Sequence, residues 1–485
     1  MPLRPLAILI SLLLFVPVQA REPIVVTIGA EPTGERISAD ALGLSYETSI
    51  LRPNAAGVRY FRPDNRELLK VFQTIGVKSL RIGGNSVDDP KVPLPEKDDV
   101  RSLFRFARKA GIKVIYSVRL HDGDPASAAE FAQLIHEEFR NELESFAIGN
   151  EPGYYKDYAV YKPKWVAIRD AIVRVFPEAR FSGGDDNPRP EFIANLARDF
   201  GTTEGRLVQI TQHSYPFGCS YKNPGAGMKD VKLLVPVDVT AARNNMLTSP
   251  PLKTYEDILK GMQAAVAGTP LTFRLTETNS FWFSGLEGAS DRYASALWGL
   301  DYLHWWTSHG AAGINFHTGD RTGGSVNLPC RYAAFVSSAK GYEVRPLAYG
   351  MKLFAASGTG RYLPARIAAA SGDQVAAYAV ARDDGVIAVT LINRDAKNEA
   401  GIRVDLAAAN AVKKARILKL QAKANDPAAT SAEIALNDAG IDDTGKWSGK
   451  WTTLGKQSLA GTGVSVTLAP ASAAVVEVTI VPQGR

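Results

Sequence analysis

The segment Phe146-Ala147-Ile148-Gly149-Asn150-Glu151-Pro152 determines how the rest of the chain can be interpreted. Three apolar residues run directly into glycine, asparagine, glutamate and proline, which predicts a short buried strand followed by a loop. Proline cannot continue a strand ladder, so the strand is expected to end near Glu151. An acid at the end of a buried strand is costly unless it is paired or used, which makes Asn150 and Glu151 candidate functional residues.

A second segment, Thr272-Phe273-Arg274-Leu275-Thr276-Glu277-Thr278-Asn279, repeats this arrangement further along the chain. It is again a strand-like run that ends at a glutamate, and two carboxylates at two strand ends are the groups that glycoside hydrolysis requires. The alternative is that Glu151 and Glu277 only pair with buried arginines such as Arg81 and Arg274. Their occurrence together at two strand ends favours the catalytic interpretation.

Strands and amphipathic helices alternate eight times between residues 41 and 358, which indicates an α/β fold. Eight alternations predict that this region is a (β/α)8 TIM barrel. An open doubly wound sheet is the alternative, but it would need a glycine-rich phosphate-binding turn after its first strand, and none is present. The predicted strands cover residues 42–47, 77–85, 112–118, 146–151, 181–184, 207–215, 272–279 and 312–317.

The region from residue 359 to residue 485 contains strand-like runs without helices. Its clearest turn signal is Asp383-Asp384-Gly385, which lies between two apolar runs and predicts a hairpin. We therefore expect a C-terminal antiparallel β-sandwich domain. Residues 21–40 include the β-branched run Ile24-Val25-Val26-Thr27-Ile28, which is expected to add a strand to that sandwich. Two domains also agree with a length of 485 residues, which is too great for one core.

Residues 1–20 have the pattern of a signal peptide. Arg4 supplies the positive charge, residues 6–16 the apolar stretch, and Val18-Gln19-Ala20 a small-residue cleavage site. The apolar stretch is short for a membrane anchor, so we expect a secreted or periplasmic protein with no membrane partner. In such a compartment Cys219 and Cys330 could form a disulfide, or they could remain two buried thiols.

The composition excludes several classes of function. The chain is 45% hydrophobic and 22% charged, with a formal charge of +6, which is an ordinary globular composition. The chain has no dense basic run, so no nucleic acid partner is expected. The six histidines show no HExxH or comparable spacing, so we expect neither a metal nor another cofactor.

Polar residues are concentrated where the predicted barrel strands end, which is where TIM barrels carry their active sites. They are Glu47, Asn85, Ser86, Asn150, Glu151, Asp185, His213, Tyr215, Glu277 and His317. The fourth and seventh strands face each other across a barrel, so Glu151 and Glu277 can approach a sugar ring from two sides. Asn150 lies beside Glu151 and can form a hydrogen bond with a sugar 2-hydroxyl group.

The Asn-Glu pair on strand four and the glutamate on strand seven resemble the large clan of retaining glycosidases. The fuller set of motifs resembles the heparanase and β-glucuronidase family over nearly the whole mature chain. The motifs that carry this resemblance are Leu44-Ser45-Tyr46-Glu47, Arg81-Ile82-Gly83-Gly84-Asn85, Ile148-Gly149-Asn150-Glu151-Pro152, Gln212-His213-Ser214-Tyr215 and Thr276-Glu277-Thr278-Asn279-Ser280.

The resemblance implies a role for each matching residue. Glu151 corresponds to the acid/base and Glu277 to the nucleophile, with Tyr215 as a tyrosine beside the nucleophile. The substrate-binding positions that we expect are Glu47, Asn85, Ser86, Asn150, Tyr215 and Tyr332. Tyr332 corresponds to a tyrosine that holds the sugar carboxylate. Family members often have a glycine shortly before this tyrosine, whereas this chain has Cys330-Arg331.

The expected activity is that of a heparanase-like, retaining endo-β-glucuronidase that cleaves heparan sulfate-type glycosaminoglycans as a monomer. The reason for choosing an anionic polysaccharide is a group of cations in the loops that follow the strands. These cations are Arg52, Arg59, Arg62, Arg119, Lys156, Lys222 and Lys229. Two alternatives are an exo-β-glucuronidase that releases terminal glucuronate and a secreted glycan-binding protein without catalytic activity.

Overall fold

The computed structural model describes residues 22–185, 190–227, 229–323, 328–368, 374–407 and 411–480. The signal peptide expected at residues 1–20 lies outside these ranges. Eight parallel strands close into a barrel in chain order, with the eighth strand paired to the first. The barrel strands are Leu42–Glu47, Ser79–Gly83, Lys113–Val118, Leu143–Ile148, Phe181–Gly184, Leu207–Ser214, Thr272–Thr278 and Ile314–His317. The predicted TIM barrel is confirmed.

Helices connect these strands and bury their apolar faces against the barrel. In the first long helix, Asn65 accepts a hydrogen bond from the Leu68 backbone N–H at 3.2 Å, and Gly76 ends the helix in the left-handed conformation. The helices of the chain are Arg66–Ile75, Asn85–Asp88, Lys97–Ala110, Pro125–Phe139, Tyr158–Val175, Pro190–Phe200, Pro224–Gly227, Val239–Thr248, Leu252–Val266, Ala294–Ser308 and Pro346–Ala356. None of them is long and apolar enough to cross a membrane, within the part of the chain that the structure describes.

The second domain is a sandwich of two sheets with an apolar core between them. One sheet has the strand order Ala365–Ile367, Ile24–Ile28, Ala400–Leu406, Gly463–Leu468 and Leu459–Ala460. The other has the order Arg36–Ile37, Gly360–Leu363, Val375–Arg382, Ile387–Asn393, Ser472–Ile480, Val412–Ala422 and Ile434–Leu436, with Thr452–Thr453 paired to Val412–Ala422. The predicted C-terminal β-sandwich is therefore confirmed. The N-terminal strand pairs parallel to Ala400–Leu406, whereas the other sandwich pairings are antiparallel within the described residues.

Two short hairpins lie between the eighth barrel strand and the last barrel helix. They are Thr322–Gly323 with Leu328–Pro329, and Phe335–Ser338 with Gly341–Val344. The segment between the hairpins carries Cys330 and Tyr332, and both side chains are buried. Cys330 and Cys219 are free thiols, so the disulfide alternative does not apply.

The second barrel strand is shorter than the sequence suggests. We expected residues 77–85 to be one strand, but the strand ends at Gly83 and Gly84 turns the chain with a φ of 70°. Asn85 and Ser86 then begin a short helix, because their backbone N–H groups donate to the Glu47 carboxylate at 3.3 and 2.8 Å. These two N–H groups therefore bind the side chain of Glu47 on the neighbouring strand and form no strand hydrogen bonds. The periodicity of the sequence does not indicate this.

Candidate active site

The two glutamates singled out from the sequence lie together at the carboxyl end of the barrel. One carboxylate oxygen of Glu151, one ring nitrogen of His213 and one carboxylate oxygen of Glu277 lie within 4.8 Å of one another. The Glu277 side chain is 8% exposed, whereas that of Glu151 is 41% exposed. The two carboxylates therefore have different environments, one enclosed by protein and the other open to the barrel mouth.

Arg81 occupies the centre of the site and is fully buried. Its guanidinium donates to Glu277 Oε2 at 2.6 Å and to Asn150 Oδ1 at 2.7 Å. A Cβ atom on Gly83 would lie only 2.6 Å from this guanidinium, so a glycine is required for the close approach. Arg81 thus connects the second, fourth and seventh strands and places a positive charge against Glu277.

The surroundings of Glu277 favour its ionised form. Burial alone would raise the pKa of Glu277, but the positive charges of His317, His213 and Arg81 outweigh it and lower the pKa to about 2. The Tyr215 hydroxyl contributes by donating a hydrogen bond to Glu277 Oε1 at 2.8 Å. Glu277 is therefore a carboxylate at any pH near neutrality, and it is held from two sides by fixed donors.

Glu151 stands on an unusual backbone. Its φ is 32°, a conformation that residues with a side chain rarely adopt, and it follows Gly149 at a φ of 84°. This turn carries the side chain from the end of the fourth strand into the barrel mouth. Such conformations cost about 1–3 kcal/mol and persist where the surroundings enforce them, as often happens at functional sites.

Asn150 is fixed by three hydrogen bonds. Its Oδ1 accepts from Arg81, its Nδ2 donates to Asn85 Oδ1 at 3.2 Å, and its backbone N–H donates to Asp88 Oδ2 at 2.8 Å. Asp88 also accepts the backbone N–H groups of Leu120 and His121, so it joins the loop after the third strand to Asn150. The side-chain oxygen of Asn150 is occupied by Arg81, and its NH2 group keeps one N–H beyond the bond to Asn85.

Glu47 ends the first barrel strand, and Ser86 lies in the short helix that follows the second. The hydrogen bonds from the backbone N–H groups of Asn85 and Ser86 hold the Glu47 carboxylate, and His317 Nε2 lies 3.8 Å from it. The Ser86 hydroxyl accepts a hydrogen bond from the backbone N–H of Ser49 at 3.1 Å, so it helps to fix the local loop. The Asn85 side chain is exposed. All three side chains therefore have protein contacts, and Asn85 is the most exposed of them.

Tyr332 is buried near both Glu277 and Glu47, and its ring lies 6.3 Å from that of Tyr215. The segment that supports it is strained, because Phe283, Ser284 and Gly285 all have positive φ values. Ser284 accepts a hydrogen bond from the backbone N–H of the residue before Tyr332 at 2.7 Å. The strained turn thus holds Tyr332 in place beside the nucleophile candidate.

His213 lies between three carboxylates. Its Nδ1 is 2.9 Å from Glu151 Oε1 and its Nε2 is 3.3 Å from Asp185 Oδ1. Burial would lower the pKa of His213, but the charges of Glu277 and Asp185 and contacts with Asp185 and Glu151 raise it to about 10. The imidazole is therefore protonated at neutral pH.

The two arginines named as alternative partners of the glutamates lie in different places. Arg81 pairs with Glu277, but Arg274 pairs with Asp40 at 2.6 Å and approaches Glu144 at 3.7 Å, near the amino ends of the barrel strands. Pairing with Arg81 does not exclude catalysis, because a nucleophilic carboxylate must be ionised. Arg274 has no contact with either candidate glutamate among the described residues.

Three of the seven loop cations identified from the sequence are held by structural contacts. Arg59 pairs with Asp99 at 2.7 Å, Arg62 pairs with Asp64 at 3.1 Å, and Arg119 donates to three backbone carbonyls. The other four have no ion pair within the described residues, and they are Arg52, Lys156, Lys222 and Lys229. The cationic surface available to a ligand is thus smaller than the sequence suggested.

Sequence reasoning named Arg81 only as a possible pairing partner of the glutamates, and it assigned no role to Asp88 or to the His213–Asp185 contact. For Arg81 a signal was present, since an arginine inside an apolar strand followed by two glycines indicates a buried charge that needs a close partner. For Asp88 there was none, because its partners are backbone N–H groups of distant loops. His213 and Asp185 were recognised as polar residues at strand ends, but only the fold brings them to Glu151.

No protein-family model matches the chain, and no curated protein matches it. Solved structures match it over nearly its whole length. The chain is similar to a 4-O-α-L-rhamnosyl-β-D-glucuronidase from Fusarium oxysporum 12S, with 18% identity, a TM-score of 0.66, and coverage of 93% of this chain and 99% of the other. It is also similar to the GH51 arabinofuranosidase from Xanthomonas axonopodis pv. citri, with 15% identity, a TM-score of 0.64, and coverage of 94% and 100%.

A third similar structure is a xyloglucanase of glycoside hydrolase family 44 from Paenibacillus polymyxa. It has 12% identity, a TM-score of 0.60, and coverage of 94% of this chain and 99% of the other. At such identities the similarity concerns the fold, a TIM barrel with a β-sandwich. The proteins with which this chain shares that fold are named as glycoside hydrolases.

Proposed function

We propose that the protein is a retaining β-glucuronidase, with Glu277 as the nucleophile and Glu151 as the acid/base. The observation that carries this proposal is the approach of the two carboxylates, since one oxygen of Glu151 lies within 4.8 Å of one oxygen of Glu277. Retaining glycosidases need carboxyl groups about 5–5.5 Å apart, whereas inverting enzymes need about 6.5–9.5 Å to accommodate a water molecule. The spacing therefore favours double displacement over a single inversion.

The proposed reaction has two steps. Glu277 attacks the anomeric carbon while the proton of Glu151 passes to the glycosidic oxygen, so the leaving group departs and a covalent glycosyl-enzyme forms. Glu151 then takes a proton from water, which attacks the same carbon and releases Glu277. Buried Arg81 and half-buried Tyr215 each donate to Glu277 and support the ionised nucleophile. The more exposed position of Glu151 suits a group that must reach the leaving group and then water.

The choice of a glucuronide rests on the resemblance to the β-glucuronidase family, in which Tyr332 matches a tyrosine that holds the sugar carboxylate and Glu47 and Asn85 match polar positions that line the glucuronate subsite. The Fusarium protein with the same fold is itself named as a glucuronidase. Binding without catalysis is the weaker alternative, because both carboxylates are present and the surroundings of Glu277 keep it ionised. We place the protein outside the cytoplasm, on the basis of the signal peptide pattern.

Aryl β-glucuronides should be hydrolysed with a kcat/KM at least about 10³-fold above that for the matching aryl β-glucosides. A glucoside leaves the polar groups that bind the carboxylate without a partner, which is a large penalty in a buried site. Steady-state kinetics on the two p-nitrophenyl substrates tests this expectation.

Tyr332→Phe should reduce the rate on the glucuronide only. Tyr342→Phe is the control, since it removes a buried hydroxyl that accepts from Asn65 at 2.8 Å. Equal kcat/KM values on both substrates would refute the glucuronide assignment.

The finer proposal is endo cleavage of a heparan sulfate-type chain, for which the support is the unpaired loop cations. Digestion should shorten the polymer without early release of free glucuronate, whereas an exo-acting enzyme would release the monosaccharide first. Sizing of the products by gel filtration separates the two modes.

The double variant Arg52→Glu/Lys156→Glu should raise KM several-fold on the polymer at low salt but not on an aryl glucuronide. The double variant Lys413→Glu/Lys414→Glu, at two exposed positions of the sandwich, is the charge-matched control. An unchanged KM in Arg52→Glu/Lys156→Glu would contradict the proposed role of these loops.

A further inference from the structure

Glu151 depends on a single side-chain contact for its orientation. Within the described residues, its carboxylate has one side-chain hydrogen bond, to Nδ1 of His213 at 2.9 Å. The side chain is 41% exposed and its backbone has a φ of 32°. A long, partly exposed side chain on a strained turn has several rotamers available, so this contact has a large effect on where the carboxyl group points.

His213, in contrast, has no such freedom. It is 1% exposed, its Nε2 lies 3.3 Å from Asp185 Oδ1, and Asp185 accepts a hydrogen bond from the Thr276 hydroxyl at 2.8 Å. Arg81 lies 3.8 Å from the other oxygen of Asp185. The ring is therefore fixed by a buried carboxylate that is itself held by two groups of the barrel wall.

The charges around His213 determine which of its nitrogens carry protons. It faces Glu151 from the fourth strand, Asp185 from the fifth and Glu277 from the seventh, whose Oε2 lies 4.0 Å away. Three carboxylates around one ring stabilise the imidazolium, in which both nitrogens donate. The ring therefore directs its Nδ1–H group at Glu151, while its Nε2 side lies 3.3 Å from Asp185 Oδ1 as an ion pair.

We propose that His213 is the positioning residue of the acid/base, and that Asp185 fixes its ring for that task. This inference rests on the proposed glycosidase function. The Nδ1–H group donates to Oε1 of Glu151 and leaves Oε2 to carry the catalytic proton. When the glycosidic bond breaks, the Oε2 proton moves to the departing oxygen and the bond from Glu277 to the anomeric carbon forms. The Nδ1–H bond remains on His213 and stabilises the carboxylate that Glu151 becomes.

The effect of removing His213 should depend on the leaving group, because only poor leaving groups need the proton. His213→Leu should reduce kcat/KM by about 10²-fold on phenyl β-glucuronide and by less than about 5-fold on the 2,4-dinitrophenyl substrate. His213→Asn retains an N–H group near the position of Nδ1 without the ring. It should recover at least about 10-fold of the loss on the phenyl substrate.

The control variant is His317→Asn, since His317 is the second buried histidine at the barrel mouth and its Nδ1 lies 3.6 Å from Glu277 Oε2. It should reduce kcat/KM to a similar extent for every leaving group. Thermal unfolding of each variant confirms that the fold is kept.

A His213→Leu loss that is the same for all leaving groups, or no recovery in His213→Asn, would overturn the positioning role and leave the proposed function standing. A wild-type protein inactive on the whole series would overturn the proposed function, and this inference with it.

Discussion

Glu277→Ala is expected to lose activity on every β-glucuronide, by on the order of 10⁵-fold in kcat/KM. Without this carboxylate no covalent glycosyl-enzyme can form, so an improved leaving group cannot compensate. The measurement is steady-state kinetics on phenyl and 2,4-dinitrophenyl β-glucuronides. Glu144→Ala is the matched control, since it removes a partly buried carboxyl near the amino end of the strand Leu143–Ile148, 3.7 Å from Arg274.

The companion variant Glu151→Ala should behave differently. It should lose about 10²–10⁴-fold on the phenyl substrate but retain rapid glycosylation by the dinitrophenyl one, whose leaving group departs without a proton. The reaction should then stall at the covalent intermediate, since the base for the water step is also missing. A burst of dinitrophenol followed by a slow steady state would be observed. Full activity in either variant would mean that the site lies elsewhere.

Arg81→Met should reduce both stability and activity. Arg81 is fully buried and donates to Glu277 at 2.6 Å and to Asn150 at 2.7 Å, so its removal leaves buried polar groups without their partner. Breaking a buried ion pair in this way costs about 3–5 kcal/mol of unfolding free energy. Denaturant unfolding at neutral pH measures this loss.

The pH profile separates the catalytic effect of Arg81 from its structural effect. The positive charge of Arg81 is one of the groups that lower the pKa of Glu277 to about 2, so its removal must raise that pKa. The nucleophile then becomes protonated at a higher pH, and the acid limb of kcat/KM moves to higher pH. Arg274→Met is the control, because Arg274 is equally buried but pairs with Asp40 at 2.6 Å. It should destabilise the fold and leave the acid limb in place. An unmoved limb in Arg81→Met would contradict the proposed role of the guanidinium.

The barrel could be predicted because its strands are short apolar runs with polar ends, and that pattern is local in the sequence. The positions of Glu151 and Glu277 followed from the same pattern, since parallel strands all end at one face of a barrel. The N-terminal strand Ile24–Ile28 was expected in the sandwich, and it pairs there with Ala400–Leu406. What could not be predicted was the parallel direction of that pairing, which depends on residues nearly 400 positions away in the chain.

The contacts within the site were less predictable, because they depend on distances across the barrel. Glu47 ends the second strand early by accepting the N–H groups of Asn85 and Ser86, and no periodicity signals such a competition. The number of loop cations available to a ligand was overestimated for the same reason. Arg59, for example, pairs with Asp99, which lies 40 residues away in the chain. Residue type and strand position indicate which side chains reach the site, but the fold decides which of them are already occupied.

Azide rescue of the two glutamate variants distinguishes the nucleophile from the acid/base, because azide is a nucleophile that needs no general base. With 2,4-dinitrophenyl β-glucuronide, Glu151→Ala should still form the glycosyl-enzyme, and azide should release it as the β-glucuronyl azide after two inversions. The anomeric coupling in the proton NMR spectrum of the product identifies the configuration. We expect the β-azide from Glu151→Ala, and an α-azide from Glu277→Ala wherever that variant is rescued. An α-azide from Glu151→Ala would contradict the assignment of Glu277 as the nucleophile.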